Sequence, residues 1–148
     1  MEEQEVVPVN EEQLKYEALK KSANRTSNWR ERLQAVEELG QLDHDQVADV
    51  LKARAQNDSV FPIREAAYRQ LQKMGVSVPQ PKRQEGDLVK GITKLLVRIK
   101  KSLPRDHSYE DFKAKLQKMR VDVYDTYEGD KGDEFDTWLE QKWASLRT

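Results

Sequence analysis

The sequence predicts an all-α protein, and two observations carry that prediction. Apolar residues recur three or four positions apart in most stretches between turn residues, which is the spacing of one helix face. One pattern also occurs twice at a constant offset: Trp29, Arg32, Ala35 and Leu39 return as Phe61, Arg64, Ala67 and Leu71. A repeat of this kind indicates helical units whose apolar sides are buried only when neighbouring units stack.

The composition narrows the classes of function. The chain has 148 residues, 36% of them apolar and 36% charged, which suits thin helical layers with much of each helix in water. Its net charge of −1 creates no overall field for nucleic acid or an anionic membrane. Without cysteine, disulfides and thiolate zinc sites are excluded. No apolar run approaches the roughly 20 residues that span a bilayer, and the acidic N-terminus does not resemble a signal peptide, so a cytoplasmic protein is expected.

The first half of the chain divides into a tail and four predicted helices. Residues 1–10 are acidic and contain a proline, so we expect a disordered tail. Asn28 begins the second helix, with Glu31 at the capping-box position. Pro62 lies in the first turn of the fourth helix, where a missing N–H group costs little. The four predicted helices span residues 11–24, 28–41, 45–57 and 60–75.

Residues 58–71 read Asp-Ser-Val-Phe-Pro-Ile-Arg-Glu-Ala-Ala-Tyr-Arg-Gln-Leu. They resemble the HEAT-repeat family, in its form with an Asp turn and an Arg early in the second helix. In the first copy Thr26 stands where the turn Asp is expected. The resemblance covers residues 11–75 and implies two antiparallel helix pairs in an α-solenoid-like array, with the second and fourth helices as inner helices that line a concave face. In the family the repeated arginine bonds the turn Asp of a neighbouring repeat, which implies a structural role for Arg32 and Arg64.

The second half lacks the repeat signature. Residues 76–86 contain two prolines at alternate positions, which favours an extended linker. Residues 87–148 are predicted to form a C-terminal unit of three helices. Two visible repeats are fewer than the three that a stable array usually needs, so this unit is expected to dock on the open end of the second repeat or to stand beside it. The candidates for closing that end are Leu95, Leu96, Phe112, Trp138 and Trp143.

Patterns that support catalysis are missing from the sequence. It contains no Ser–His–Asp set, glycine-rich phosphate loop or HExxH motif, and His44 and His107 lack metal-ligand spacing. The acidic run between Asp122 and Asp136 fails the EF-hand spacing, and helix capping explains most of its acids. We therefore predict a protein that is not an enzyme, with no catalytic residue, no cofactor and no metal.

Two surfaces are candidate binding sites. The first is the polar side of the inner helices, which carries Arg30, Gln34, Glu37, Glu38, Glu65, Tyr68, Arg69 and Gln72. Its mixed charge suits a protein, so the first hypothesis is a scaffold that binds a protein partner there. The second surface is a ridge at helical spacing, formed by Lys90, Lys94, Arg98 and Lys101. It lies in residues 82–105, which hold eight basic residues against two acidic ones, so the alternative hypothesis is nucleic-acid binding along a phosphate backbone. No membrane partner is expected.

Overall fold

A computed structural model describes residues 11–25, 27–84 and 86–147 of the chain, and every regular element within them is helical. The predicted acidic tail, residues 1–10, and Thr26 lie outside the described residues. The α-helices are α1 (Glu11–Ala23), α2 (Trp29–Leu39), α3 (Val47–Asn57), α4 (Phe61–Lys73), α5 (Ile92–Lys101), α6 (Tyr109–Met119), α7 (Val121–Lys131) and α8 (Phe135–Ser145), with a 3-10 turn at Gly132–Glu134. The predicted all-α fold is therefore confirmed. None of the described helices is both long enough and apolar enough to cross a membrane.

The first four helices form the two predicted pairs. α1 packs on α2 and α3 packs on α4, while the inner helices α2 and α4 also pack on each other. Their apolar sides meet in one core that includes Leu39, Leu51, Ile63 and Leu71, all without solvent exposure. The Asn28 side chain accepts the Glu31 backbone N–H at 3.1 Å and begins α2 as predicted. The predicted bounds of all four helices hold to within about two residues.

Residues 76–84 cross the second repeat as an irregular segment, which we call the strap. Val76 and Val78 pack against the core of the repeats. Arg64 donates to the Lys82 carbonyl oxygen at 3.2 Å, and the Arg83 guanidinium lies 4.5 Å from the centre of the Phe61 ring. The strap is therefore attached to the same repeat from which it emerges.

Residues 86–147 contain four α-helices where the sequence predicts three. The first begins at Ile92 rather than at Asp87, because Gly91 before it has a left-handed φ of 77°. The predicted second helix divides at Arg120, whose φ of −140° and ψ of 71° are not helical. The next turn lies at Gly132, where φ is 58°, because the chain stays helical to Lys131.

Helices α5–α8 surround a second apolar core that includes Leu96, Ile99, Phe112, Leu116 and Leu139. The five residues predicted to close the repeat array all belong to this core or pack on its side: Leu95, Leu96, Phe112, Trp138 and Trp143. The C-terminal unit instead meets the repeats through α7, which contacts α2 and α4.

Candidate functional site

α7 contacts the N-terminal ends of both inner helices. Asp125 accepts the Trp29 backbone N–H at 2.8 Å, and Asp130 accepts the Phe61 backbone N–H at 3.4 Å. Such N–H groups have no partner inside their own helix, and a carboxylate is favoured at the positive end of the helix dipole. We call this contact the seam; it joins α7 residues 125–130 to the first turns of α2 and α4 and to the residues just before α4.

The centre of the seam is Arg32, a buried arginine with two carboxylate partners. Its guanidinium donates to both carboxylate oxygens of Asp58, at 3.0 and 3.3 Å, and to Asp125 at 3.1 Å. The side chains of Arg32, Asp58 and Asp125 are only 4%, 1% and 8% exposed. The bond to Asp58, the turn Asp of the next repeat, is the one that the family resemblance implies. The bond to Asp125 attaches the repeats to the C-terminal unit.

Arg64, the second copy of Arg32, also has structural bonds. Its guanidinium donates to the Asp58 carbonyl oxygen at 2.7 Å and to the strap at Lys82. The turn carboxylate of a third repeat would be its family-type partner, but the described part of the chain continues into the strap instead. Asp58 itself also accepts the Val60 backbone N–H at 2.9 Å and the Arg54 guanidinium at 3.2 Å.

α7 approaches the repeats closely because residue 129 is a glycine. A Cβ atom at Gly129 would lie 2.8 Å from Cγ of Trp29 and 2.9 Å from Cγ2 of Val60. One residue earlier, Glu128 accepts the indole N–H of Trp29 at 3.1 Å and the Arg30 guanidinium at 2.8 Å. Arg30, one of the predicted binding residues, is thereby tied to the seam.

The other predicted binding residues of α2 lie uncovered. Gln34 and Glu37 are exposed and Glu38 is partly exposed. The last turn of α2 contains no basic residue, and neither glutamate forms an ion pair with any residue that the structure describes. Carboxylates near a helix C-terminus are disfavoured by the helix dipole. A cationic group of a partner would therefore improve the electrostatics of this turn.

The predicted binding residues of α4 bond to one another. Arg69 pairs with Glu65 at 2.9 Å, and the Gln72 amide donates to the Tyr68 hydroxyl at 3.0 Å. Together with two residues of the strap they line a groove of about 290 Å³, whose walls are Glu65, Tyr68, Arg69, Gln72, Gln80 and Pro81.

The eight predicted residues do not share one side of the array. The repeat offset equates Gln72 with Gly40, and Gly40 faces α4, since a Cβ atom there would lie 2.0 Å from the Gln70 amide oxygen. Gln72 therefore faces away from α2, toward the position of a third repeat. Glu65 and Tyr68 lie on the same side of α4 as Gln72, because residues three, four or seven apart share a helix face.

Arg69 lies at the border between the α4 groove and the exposed residues of α2, since it lines the groove and pairs with Glu65. The repeat offset equates it with Glu37, and both side chains are exposed. We call Gln34, Glu37, Glu38 and Arg69 the inner surface. The α4 groove lies beside it at the end of the array, and Arg30 lies at the seam.

The four residues of the predicted basic ridge are all exposed. Lys94, Arg98 and Lys101 follow one side of α5, and Lys90 lies in the turn before it. None of these four side chains bonds or pairs with another residue in the part of the chain that the structure describes.

Two other basic residues of the same stretch have structural partners. Lys100 donates to the carbonyl oxygens of Trp143 and Leu146, at 2.6 and 2.9 Å, at the C-terminal end of α8. Arg83 pairs with Asp130 at 3.5 Å. The ridge is therefore narrower than the basic composition of residues 82–105 indicates.

Both histidines have partners in the fold. The His44 ring stacks on Tyr16 with the ring centres 3.9 Å apart. The Nε2 atom of His107 accepts the Trp143 indole N–H at 2.9 Å, so its Nδ1 atom carries the proton that faces the Pro104 carbonyl oxygen. Among the described residues, no three potential metal ligands lie close enough together to hold an ion.

The role of the α7 acids differs from the prediction. The sequence pattern indicated capping of their own helices, whereas Asp125 and Asp130 bind the N-terminal ends of α2 and α4. Contacts between residues 96 and 69 positions apart leave no periodic pattern, and the sequence signal for them was the density of acids in this stretch.

Comparison with known proteins identifies the repeats. The family described as HEAT repeats matches residues 16–82, which include most of α1, all of α2–α4 and the strap up to Lys82. The resemblance seen in the sequence is thereby confirmed. No curated protein and no solved structure matches the chain.

Proposed function

We propose that this chain, whose residues 16–82 belong to the HEAT-repeat family, is a non-enzymatic scaffold module that binds a protein partner on its inner surface. Repeats of this family commonly mediate protein–protein interaction. The observation that carries the proposal is the uncovered inner surface: α7 occupies the N-terminal ends of α2 and α4 but leaves Gln34, Glu37 and Arg69 in solvent.

The chemistry of the inner surface favours a protein over a polyanion. Glu37 and Glu38 would repel a phosphate backbone, and Arg69 is already paired with Glu65. Amide and carboxylate groups on a helix pair can bond the mixed side chains of a protein, and the polar groove of α4 extends the contact area. We therefore expect a partner that places a basic side chain against the last turn of α2.

Capture from source lysate by the tagged full chain tests this proposal. Glu37→Lys with Arg69→Glu reverses two charges of the inner surface without changing the net charge. The matched control is Glu140→Lys with Lys118→Glu, two exposed positions on the C-terminal unit. We expect the inner-surface variant to lose a protein that both the wild type and the control retain. Equal capture by all three proteins would contradict the proposal.

Nucleic-acid binding is the second candidate, and one observation favours it. Lys90, Lys94, Arg98 and Lys101 are exposed and unpaired among the described residues, whereas Lys100 beside them is bound. Binding of duplex DNA or RNA should then weaken steeply with salt, because each phosphate contact releases a counterion. Fluorescence anisotropy would compare nucleic-acid binding by the wild type and by Lys90→Glu plus Lys94→Glu. If the variant binds like the wild type, the ridge is not the binding site. A cytoplasmic location is part of the proposal in either case, and fractionation of source cells tests it.

A further inference from the structure

The two apolar cores of the protein do not merge. One lies among α1–α4 and the other among α5–α8. Between them α7 presents acidic side chains and Gly129, whose missing side chain leaves only backbone against Trp29 and Val60. Two parts of one chain are expected to move relative to each other unless a large apolar interface joins them. The seam does not provide such an interface.

The seam is instead held by polar groups. The contacts run from Asp125 to Trp29 and Arg32, from Thr126 to Ser59, from Glu128 to Trp29 and Arg30, and from Asp130 to Phe61 and Arg83. Water can replace most of these partners when the seam opens. The side chains of Arg30 and Arg83 are already 66% and 60% exposed.

Opening also leaves no buried charge unpaired. Arg32 would lose Asp125 but keep two hydrogen bonds to Asp58, while Asp125 itself would move into solvent with α7. An uncompensated buried charge is the main cost of breaking a buried ion pair. That cost is avoided here because Arg32 has a second carboxylate partner.

We propose that α7 is a releasable clasp: the seam opens under native conditions while both apolar cores stay folded. Regions joined by few apolar contacts open at lower free energy than the cores beside them. When the clasp opens, Arg30 leaves Glu128 and the first turns of α2 and α4 become accessible. The clasp is a property of the free chain, so this proposal does not depend on partner binding at the inner surface.

A disulfide across the seam provides the test. The chain has no cysteine of its own, and the hydroxyl groups of Ser59 and Thr126 lie 3.2 Å apart. Because these hydroxyl oxygens are in contact, Ser59→Cys plus Thr126→Cys places two thiols beside each other across the seam, where a disulfide can be tested. Oxidation then locks the clasp, and a reducing agent releases it in the same sample.

Hydrogen exchange measured by NMR reports opening. The reporters are the backbone and indole N–H groups of Trp29, which donate to Asp125 and Glu128 across the seam. The references are the backbone N–H groups of Leu71 and Leu116, one in each core. In the reduced protein we expect the Trp29 groups to be about 100-fold less protected than the references. Oxidation should raise the protection of Trp29 about tenfold or more and leave both references unchanged.

Two outcomes would overturn the clasp. If the Trp29 N–H groups of the reduced protein were as protected from hydrogen exchange as the Leu71 N–H group, the seam would open only with global unfolding. If the disulfide did not slow hydrogen exchange of the Trp29 N–H groups, these groups would exchange without opening of the seam. Should the double variant not oxidise, Asp125→Asn should lower the protection of Trp29 at least tenfold. Asp122→Asn changes an exposed acid of the same helix whose ion pair among the described residues is with Arg120, and it should not lower this protection. Equal effects of the two variants would also contradict the clasp.

Discussion

Arg32 joins three separate parts of the chain. Its guanidinium donates to the Arg25 carbonyl oxygen before α2, to the Asp58 carboxylate before α4, and to Asp125 in α7. The family resemblance implies the bond to Asp58, since the turn Asp and the repeated Arg are both visible in the sequence. The bond to Asp125 could not be predicted, because its two residues belong to different patterns and no spacing relates them.

Replacing Arg32 should cost much more stability than replacing an exposed arginine of the same helix. Arg32→Met leaves Asp58 and Asp125 without the guanidinium, and we expect the free energy of unfolding to fall by about 3–5 kcal/mol. Arg30→Met removes a side chain that is 66% exposed and should cost less than about 1 kcal/mol. Urea unfolding followed by circular dichroism measures both. Similar losses for the two variants would show that Arg32 does not have the role described.

The helical spacing of apolar residues predicted most of the helices and some of their ends. The first four were predicted nearly as observed because each has an apolar stripe bounded by polar turns. The break at Arg120 was missed, since the apolar stripe of residues 112–123 continues across it. The late start of α5 was missed because nothing at Asp87 excludes a helix, whereas the left-handed Gly91 is a property of the folded backbone.

α5 illustrates how adjacent residues with the same charge differ in role. Lys100 donates to two carbonyl oxygens at the end of α8, while Lys101 is exposed and has no partner among the described residues. We expect Lys100→Met to lower the free energy of unfolding by about 1–3 kcal/mol, because it leaves those carbonyl groups without their charged donor. Lys101→Met, the matched control, should have almost no effect in thermal or urea unfolding. A larger loss of stability in Lys101→Met than in Lys100→Met would refute the structural role of Lys100.

The contact between α6 and α8 should make stability depend on pH. Asp136 accepts the Tyr109 hydroxyl at 2.8 Å and pairs with Lys113 at 2.6 Å. Lys113 first, and Tyr109 second, hold the pKa of Asp136 below its ordinary value. A depressed carboxyl pKa contributes stability at neutral pH that is lost as the pH falls through the usual aspartate range and below it.

Asp136→Asn should therefore lower the stability at neutral pH and match the wild type in strong acid. Because Asp136 is exposed, the difference at neutral pH should stay below about 1 kcal/mol. Urea unfolding over a series of pH values measures it, with Asp133→Asn as a control at an exposed carboxyl nearby. A difference between Asp136→Asn and the wild type that grows toward acid would contradict the sign of this pKa shift.

In the described part of the chain, two HEAT-like helix pairs are followed by four further α-helices. Two repeats are fewer than the three that a stable array usually needs, so the sequence predicted that the C-terminal unit either docks on their open end or stands beside them. The structure places α7 across the N-terminal ends of α2 and α4. The strap and the groove residues of α4 occupy the end of the array. Apolar periodicity could not distinguish these arrangements, because polar contacts determine the position of α7.

The sequence pattern identified the predicted binding residues as exposed helix positions, but it could not show which of their side chains pair with other residues. Gln34 and Glu37 are exposed as a polar helix side requires, but Arg30 is tied to Glu128 and Arg69 to Glu65. Which side of the array each residue faces became clear only from the position of Gly40 against Gln70. The inner surface is therefore smaller than the predicted site.

The most direct test of the proposed function is the dissociation constant of the purified, captured partner for three forms of the full chain. Isothermal titration calorimetry would compare the wild type, Glu37→Lys with Arg69→Glu, and the ridge variant Lys94→Glu with Arg98→Glu. We predict that the inner-surface variant binds at least about tenfold more weakly, a loss of about 1.4 kcal/mol, and that the ridge variant binds like the wild type. Wild-type affinity in the inner-surface variant, with weakened binding in the ridge variant, would contradict the proposal.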